Sequence, residues 1–329
     1  MIIVTLKNKK MSLIISDIDK ASEFLNSEDV IGIPTETVYG LAGNIHSEKA
    51  VKKIFELKNR PLFNPLIVHI KSLDSLDKVA VDVPDAALKI AKVFWPGPLT
   101  LVLKKHCSVS DLVTAGKTSV AVRIPNHPVT LSLLEKINFP LAAPSANPFG
   151  SISPTSAEHV AEYFKDKLQI ILDGGVCLRG IESTIIGFQN NQATLYRLGS
   201  IPVEDIETVI GKVKIVTKHK SAPDAPGMLS KHYSPVTPTF LTNDVQKSIK
   251  TFSDRKIGLL LFDRGISDAN IFHLEVLSAS GDLKVAAANL YAALHRLDKN
   301  GLDIIIAQRF PDTGLGRTIN DRLERASKR

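Results

Sequence analysis

Apolar positions along the chain fall into two periods. Short runs of alternating or continuous apolar residues predict strands, and stretches with apolar residues every three or four positions predict helices. Residues 12–18 and 30–33 are apolar runs around the polar stretch 19–29, which predicts a strand-like entry, a helix and a strand. Ser47 reads as the N-cap of a helix whose Val51, Ile54, Phe55 and Lys58 share a face. That helix should end near Asn59, ahead of Pro61. Further strands are predicted at 66–70, 99–104, 119–124, 141–143, 169–173, 183–188 and 194–197, and further helices at 85–94, 129–137 and 157–164.

The pattern changes after residue 200. Residues 201–210 read as a short helix and 213–217 as a short strand. The run Lys218 to Gly227 holds two prolines and little that could pack, which is linker chemistry. Alternation resumes with a strand at 257–262, an amphipathic helix at 282–297, a strand at 304–307 and a last helix at 319–326. Strand and helix in turn predict a small parallel sheet.

Length and composition narrow the picture. At roughly 150 residues per domain, 329 residues suggest two domains. Two cysteines, Cys107 and Cys177, exclude a disulfide framework and a Cys-rich metal site. No apolar run reaches the roughly 18 to 20 residues that a membrane span needs. Residues 1–10 lack the long apolar core of a secretory signal and read as an extension ahead of Met11, which predicts a cytoplasmic protein. The net charge of +7 suits an anionic partner, either nucleotide or RNA.

Four constellations could carry chemistry. Ile33-Pro34-Thr35-Glu36-Thr37-Val38-Tyr39-Gly40 places hydroxyls and a carboxylate where a strand ends, a common site position in α/β folds, although such groups also satisfy local turns. Lys58-Asn59-Arg60-Pro61 leads to Asn64-Pro65-Leu66-Ile67-Val68-His69. Cations at a helix end are favoured by the dipole alone, but with Pro61 ending the helix both should lie on the following loop, free to aim at a polyphosphate. In 119–125, Arg123 shares one strand face with Ser119 and Ala121. A buried Arg there needs an anionic partner, either a carboxylate of the protein or one of a ligand. Ala142-Ala143-Pro144-Ser145-Ala146-Asn147, with Ser151 and Ser153 beyond, supplies small and hydrogen-bonding groups, or simply a turn. No G-x-x-x-x-G-K-[ST] loop, G-x-G-x-x-G, H-E-x-x-H or G-x-S-x-G motif occurs.

Taken in order, P-T-E-T-V-Y-G-L, K-x-R-P with N-P-L-I-V-H, V-A-V-R-I-P, A-P-S-A-N and I-E-S-T-I resemble the YrdC-like domain. P-G-M-L-S-K-H-Y-S-P at 226–235 and G-L-G-R-T-I-N-D-R-L-E-R-A at 314–326 resemble the linker and C-terminal domain of two-domain threonylcarbamoyl-AMP synthases. The resemblance implies an α/β fold: a twisted open mixed sheet with a basic concave site over 12–210, a linker at 211–237 crossing that site, and a small Rossmann-like domain at 238–329. It implies a nucleotidyltransferase that condenses L-threonine, bicarbonate and ATP, with Mg²⁺ accompanying the nucleotide, to threonylcarbamoyl-AMP and pyrophosphate for tRNA modification. By motif, Lys58 and Arg60 would be catalytic. Thr37, His69, Arg123, Ala143 and Ser183 would hold threonine. Lys58, Arg60, Asn64, Ser119, Ser145, Asn147, Ser153, Arg197 and Tyr233 would hold ATP. No residue-bound metal is implied. Hand-over to a downstream tRNA threonylcarbamoyl transferase and weak tRNA binding are implied partners.

Two other classes fit parts of the chain. A non-catalytic RNA-binding module would use the basic residues Arg317, Arg322, Arg325, Lys328 and Arg329, which otherwise read as a solvated helix face. Carbamoyl transfer in hydrogenase maturation also uses a YrdC-like domain, but in longer, Cys-rich chains. The complete K-x-R and S-x-N set favours the synthase.

Overall fold

The computed structural model describes residues 12–189, 192–216, 233–264, 266 and 271–328. The first half builds from β1 (Leu13–Ile15), α1 (Ile18–Asn26), β2 (Ile31–Ile33), β3 (Gly40–Asn44), α2 (Glu48–Lys58), β4 (Ile67–His69), β5 (Ala80–Val81), α3 (Asp85–Phe94) and β6 (Leu99–Lys105). It continues through α4 (Asp111–Thr114), β7 (Ser119–Arg123), α5 (Pro128–Lys136), β8 (Leu141–Ala142), α6 (Ala157–Phe164), β9 (Ile170–Leu172), β10 (Thr184–Gln189), β11 (Gln192–Arg197), α7 (Val203–Ile210) and β12 (Lys214–Ile215). These twelve strands form one mixed sheet in the order β1-β9-β2-β3-β8-β4-β7-β6-β10-β11-β12, with β5 paired to β6.

Local chemistry explains the helix bounds. The Ser47 side chain accepts from the Ala50 N–H, and Asn59 closes α2 in the left-handed conformation at φ 49°, one of the few non-glycine types that tolerate it. Asp17 and Ser156 cap α1 and α6 in the same way. The buried faces of α2, α3 and α6 pack with Val68, Leu101 and Val122 in one apolar core.

A second sheet follows, from β13 (Thr239–Thr242), α8 (Val245–Thr251), β14 (Ile257–Leu261), β15 (Ile271–Val276), α9 (Leu283–Asp298), β16 (Ile304–Gln308) and α10 (Leu315–Ala326). Its order is β13-β16-β14-β15 and every pair is parallel, as the alternating pattern predicts. The last helix begins at Leu315, four residues ahead of the predicted start. Most of the predicted linker, residues 217–232, lies outside the described residues.

The basic C-terminal helix is not a solvated face. Arg322 and Arg325 are buried, and Arg322 ion-pairs with Glu182 and Asp321 while Arg325 pairs with Asp321. Arg317 pairs with Glu204 across 3.2 Å. Three of the five cations that an RNA-binding tail would need are therefore engaged inside the protein.

Candidate functional site

Register places one end of many strands together. β4 and β7 are parallel with His69 opposite Arg123, so both side chains end at the same level. β6 runs antiparallel to β7, and β10 runs parallel to β6, so Glu182 and Ser183, just ahead of β10, return to that level. β11 reverses beside β10 and brings Arg197 opposite Ile185. The turn after β2 delivers Thr35, Glu36 and Thr37, and the segment after β8 delivers Ala143, Pro144 and Ser145. Between them lies a cavity of about 570 Å³, its mouth and the open space before it included.

At one end, the Arg123 guanidinium is fixed from three sides. Nη2 lies 2.6 Å from Glu36 Oε1, a close ion contact without hydrogen-bond alignment. Nη1 donates to Thr37 Oγ1 at 2.9 Å and Nε to the Gly97 carbonyl at 3.2 Å. Of the two anionic partners that the sequence left open for Arg123, the protein carboxylate is present, as Glu36. Thr35 shapes the turn by accepting from the Thr37 and Val38 N–H groups. His69 is buried beside Arg123, and burial first, then that cation, push its pKa down to about 3. It is neutral at pH 7, and its Nδ1 has no hydrogen-bond partner among the described residues.

The other end is cationic. Arg60 donates to the Asn64 carbonyl, to Asn64 Oδ1 and to the Pro65 carbonyl, all neutral acceptors. Among the described residues it has no acidic partner, and burial followed by nearby Arg197 push its pKa down to about 9. Arg197 donates to the Ser183 carbonyl and hydroxyl. Two desolvated guanidiniums held by neutral groups attract an anion. The Ser183 hydroxyl also bonds Thr100 at 2.7 Å.

Lys58 behaves differently from expectation. It is the last residue of α2 rather than part of a loop, it does not line the cavity, and its ammonium donates to the Ser145 and Asn147 carbonyls. Burial, and then Arg60, lower its pKa well below the usual lysine range. In this conformation it is a strut under the 145–147 segment. Asn64 and Asn147 are buried behind the cavity wall, with Asn147 Nδ2 donating to the Pro148 and Ser151 carbonyls and Oδ1 left without a partner among the described residues.

Thr37, Arg60, His69, Arg123, Ala143, Ser145, Ser183, Arg197 and Tyr233 line the cavity. Ser153 stands behind it on Glu182. Ser119 is not brought to this end. It starts β7, about 13 Å along the strand from Arg123 at roughly 3.3 Å per residue, in a separate hollow with Lys104, Phe188 and Tyr196. The stretch between is floored by Ile67, Val102, Ala121, Ile185 and Tyr196. Tyr291 and Arg322, which reach Glu182 across more than a hundred residues, are participants that the motif assignments do not include. The sequence signals available are I-E-S-T and N-D-R-L-E-R.

Two buried histidines make acid stability a test of this packing. His295, on α9, stacks on His159 with centroids 3.9 Å apart and donates from Nε2 to the Ser153 carbonyl. Burial, then His159, push its pKa down to about 3, like that of His69. Both rings take a proton near pH 6.5 when unfolded and near pH 3 when folded. Their contribution is complete above pH 6.5 and is lost as pH falls toward 3, by up to about 2.7 kcal/mol per pH unit for two protons. Urea titrations across this window should show stability falling with acid, and His295→Gln should make that fall shallower. An unchanged slope would contradict the assignment.

The fold and cavity define an α/β protein with a charged, largely enclosed small-molecule site at convergent strand ends. A family profile described as telomere recombination, for the Sua5, YciO and YrdC proteins, matches residues 7–199, and one described as the threonylcarbamoyl-AMP synthase C-terminal domain matches 201–328. The threonylcarbamoyl-AMP synthase of Pyrococcus abyssi is 40% identical over 321 residues, covering 93% of each chain. That of Bacillus subtilis is 39% identical over 320 residues, covering 94% of this chain and 92% of its own. The crystal structure of P. abyssi Sua5 complexed with L-threonine superposes with a TM-score of 0.90 at 39% identity, covering 96% of this chain and 98% of the other. The chain belongs to the threonylcarbamoyl-AMP synthase family.

Proposed function

We propose that the protein is an L-threonylcarbamoyladenylate synthase, a nucleotidyltransferase that condenses L-threonine, bicarbonate and ATP to threonylcarbamoyl-AMP and pyrophosphate. The observation that carries this reading is the division of one cavity into an end suited to an amino acid and an end suited to a polyphosphate. Arg123, pre-aimed by Glu36, takes the threonine carboxylate. Thr37, neutral His69, the Ala143 backbone and Ser183 surround the rest of the amino acid. Arg60 and Arg197 take the phosphates, with Ser145, Asn147, Ser153, Asn64 and Tyr233 around them. Ser119 serves the nucleotide only if the base lies along the apolar floor toward the far end of β7. Residues 12–210 form the catalytic domain, 211–237 the linker across the site and 238–329 a Rossmann-like domain.

The chemistry asks for placement more than for covalent help. Threonine's amine loses its proton and adds to carbon dioxide, or to bicarbonate with loss of water, the carbamate oxygen attacks the α-phosphorus, and pyrophosphate leaves. Holding the two groups in line is worth up to roughly 7–11 kcal/mol. Arg60 stabilises charge on the phosphates from a dry, preorganised position, and Lys58 acts by holding the 145–147 segment that faces them. His69 is too weak a base to deprotonate an ammonium group, and Glu36 is committed to Arg123. Solvent or bicarbonate therefore takes that proton. Among the described residues no cluster of His, Cys, Asp or Glu could hold a metal ion. Mg²⁺ would accompany ATP on its phosphates.

The product would pass to a tRNA threonylcarbamoyl transferase in the cytoplasm, with any tRNA contact of the synthase weak. Among the described residues no helix is long and apolar enough to cross a membrane. Labelled bicarbonate, threonine and MgATP should give threonine-dependent pyrophosphate and a labelled adenylate. Pyrophosphate release that ignores threonine, or none at all, would end this reading.

A further inference from the structure

The second sheet's helices contribute to the cavity wall. Arg322, in the middle of α10, has a fully buried side chain whose Nε donates to Glu182 Oε2 at 2.9 Å. Its Nη2 donates to the Leu198 carbonyl at 2.7 Å and its Nη1 to Asp321 at 2.6 Å, which fixes the guanidinium in one plane. That plane lies over the Tyr233 ring, 4.7 Å from its centroid. The Tyr291 hydroxyl, from α9, sits 3.0 Å from each Glu182 oxygen, and Ser153 donates to Oε1 at 2.6 Å.

Glu182 itself lines the cavity beside Arg60 and Arg197. A carboxylate there opposes a polyanion. Burial alone would favour its neutral form, yet Arg322 and then Arg197 outweigh burial and keep it ionised. The charge that cancels it directly comes from a helix 140 residues later in the chain.

We propose that Arg322 is a positioning residue for the nucleotide: it cancels and orients Glu182, so that the wall carrying Arg197 and Tyr233, with Ser153 behind it, faces a polyphosphate as a net cation. The proposal rests on the reading of this end as the ATP end. It gives the C-terminal helix a direct part in substrate affinity, beyond packing. Arg322→Met takes away the cation that cancels Glu182 and leaves Arg197 as the other one acting on it, so Glu182 competes with phosphate for Arg197. It should weaken ATP and leave threonine, held by Arg123 and Thr37 on other strands, nearly unchanged.

The test compares wild type, Arg322→Met, Arg322→Met with Glu182→Gln, and Glu182→Gln alone. Calorimetry with α,β-methylene-ATP reads nucleotide affinity, steady-state pyrophosphate release reads both KM values, and thermal melts check folding. Arg322→Met should weaken the analogue at least tenfold and raise the ATP KM in parallel, with the threonine KM within threefold. Adding Glu182→Gln should restore most of the loss, because an amide does not repel phosphate. Unchanged analogue affinity in Arg322→Met overturns the proposal, and so does an equal loss of both substrates without rescue, the signature of general damage. Should Arg322→Met fail to fold, Glu182→Gln decides alone: it must bind the analogue at least as tightly as wild type, and weaker binding overturns the proposal. A wild type that binds no analogue overturns both this proposal and the ATP reading, whereas loss confined to the variants leaves that reading intact.

Discussion

Arg123→Ala is expected to raise the threonine KM by roughly 30- to 3000-fold, while the ATP KM stays within threefold. The range follows from the 2–5 kcal/mol typical of truncating one partner of a buried charge pair, at 1.4 kcal/mol per tenfold. The same change strands Glu36, whose carboxylate then has a backbone N–H from Asn126 but no cation. Stability should fall by about 3–5 kcal/mol for that reason. Pairing Arg123→Ala with Glu36→Gln separates the two effects. The double variant should regain stability without regaining threonine affinity. Matching losses for threonine and ATP would count against the carboxylate role, and a threonine KM restored by Glu36→Gln would do so outright.

Arg60→Ala should lower kcat/KM for ATP by roughly 100- to 1000-fold, the usual loss when a preorganised donor to a charged transition state is removed. Arg60 is the sharper probe of the phosphate end because its bonds all go to neutral carbonyl oxygens, so removing it strands no carboxylate. Arg60→Lys should recover only part of the loss. An ammonium restores the charge but cannot hold Asn64 and Pro65 while also presenting a planar pair of donors. Pyrophosphate release under saturating threonine gives the measurement. An ATP kcat/KM within threefold of wild type would rule out the phosphate role.

Much of this fold is legible from local pattern. The bounds of α3 and α6 follow directly from apolar spacing and from flanking Pro and Ser. β3 does not follow. Its sequence, Gly-Leu-Ala-Gly-Asn, has neither alternation nor β-branched residues. It is a strand because its glycines let neighbours approach: a Cβ at Gly40 would stand 3.2 Å from Ala143 Cβ, and one at Gly43 3.2 Å from Ala50 Cβ. β15 is an edge strand in which Phe272 and Leu274 are exposed, and its pattern carries no core signal. The cavity residues are legible as motifs but not as geometry. That Lys58 turns under Ser145, that Glu36 holds Arg123 and that Arg322 holds Glu182 are facts of tertiary pairing, set by strand register and helix docking.

The pairing of Glu182 with Arg322 also orders events in time. A ribosome adds roughly 5–20 residues per second, so the 140 positions between them take roughly 7–28 s to make. The twelve-stranded sheet is complete in sequence long before α10 exists. Through that interval the nascent site carries an uncovered carboxylate where the phosphates belong. On the proposal that this end takes the phosphates, competence for the nucleotide arrives late in synthesis, when a single arginine in the middle of the second sheet's last helix comes into reach.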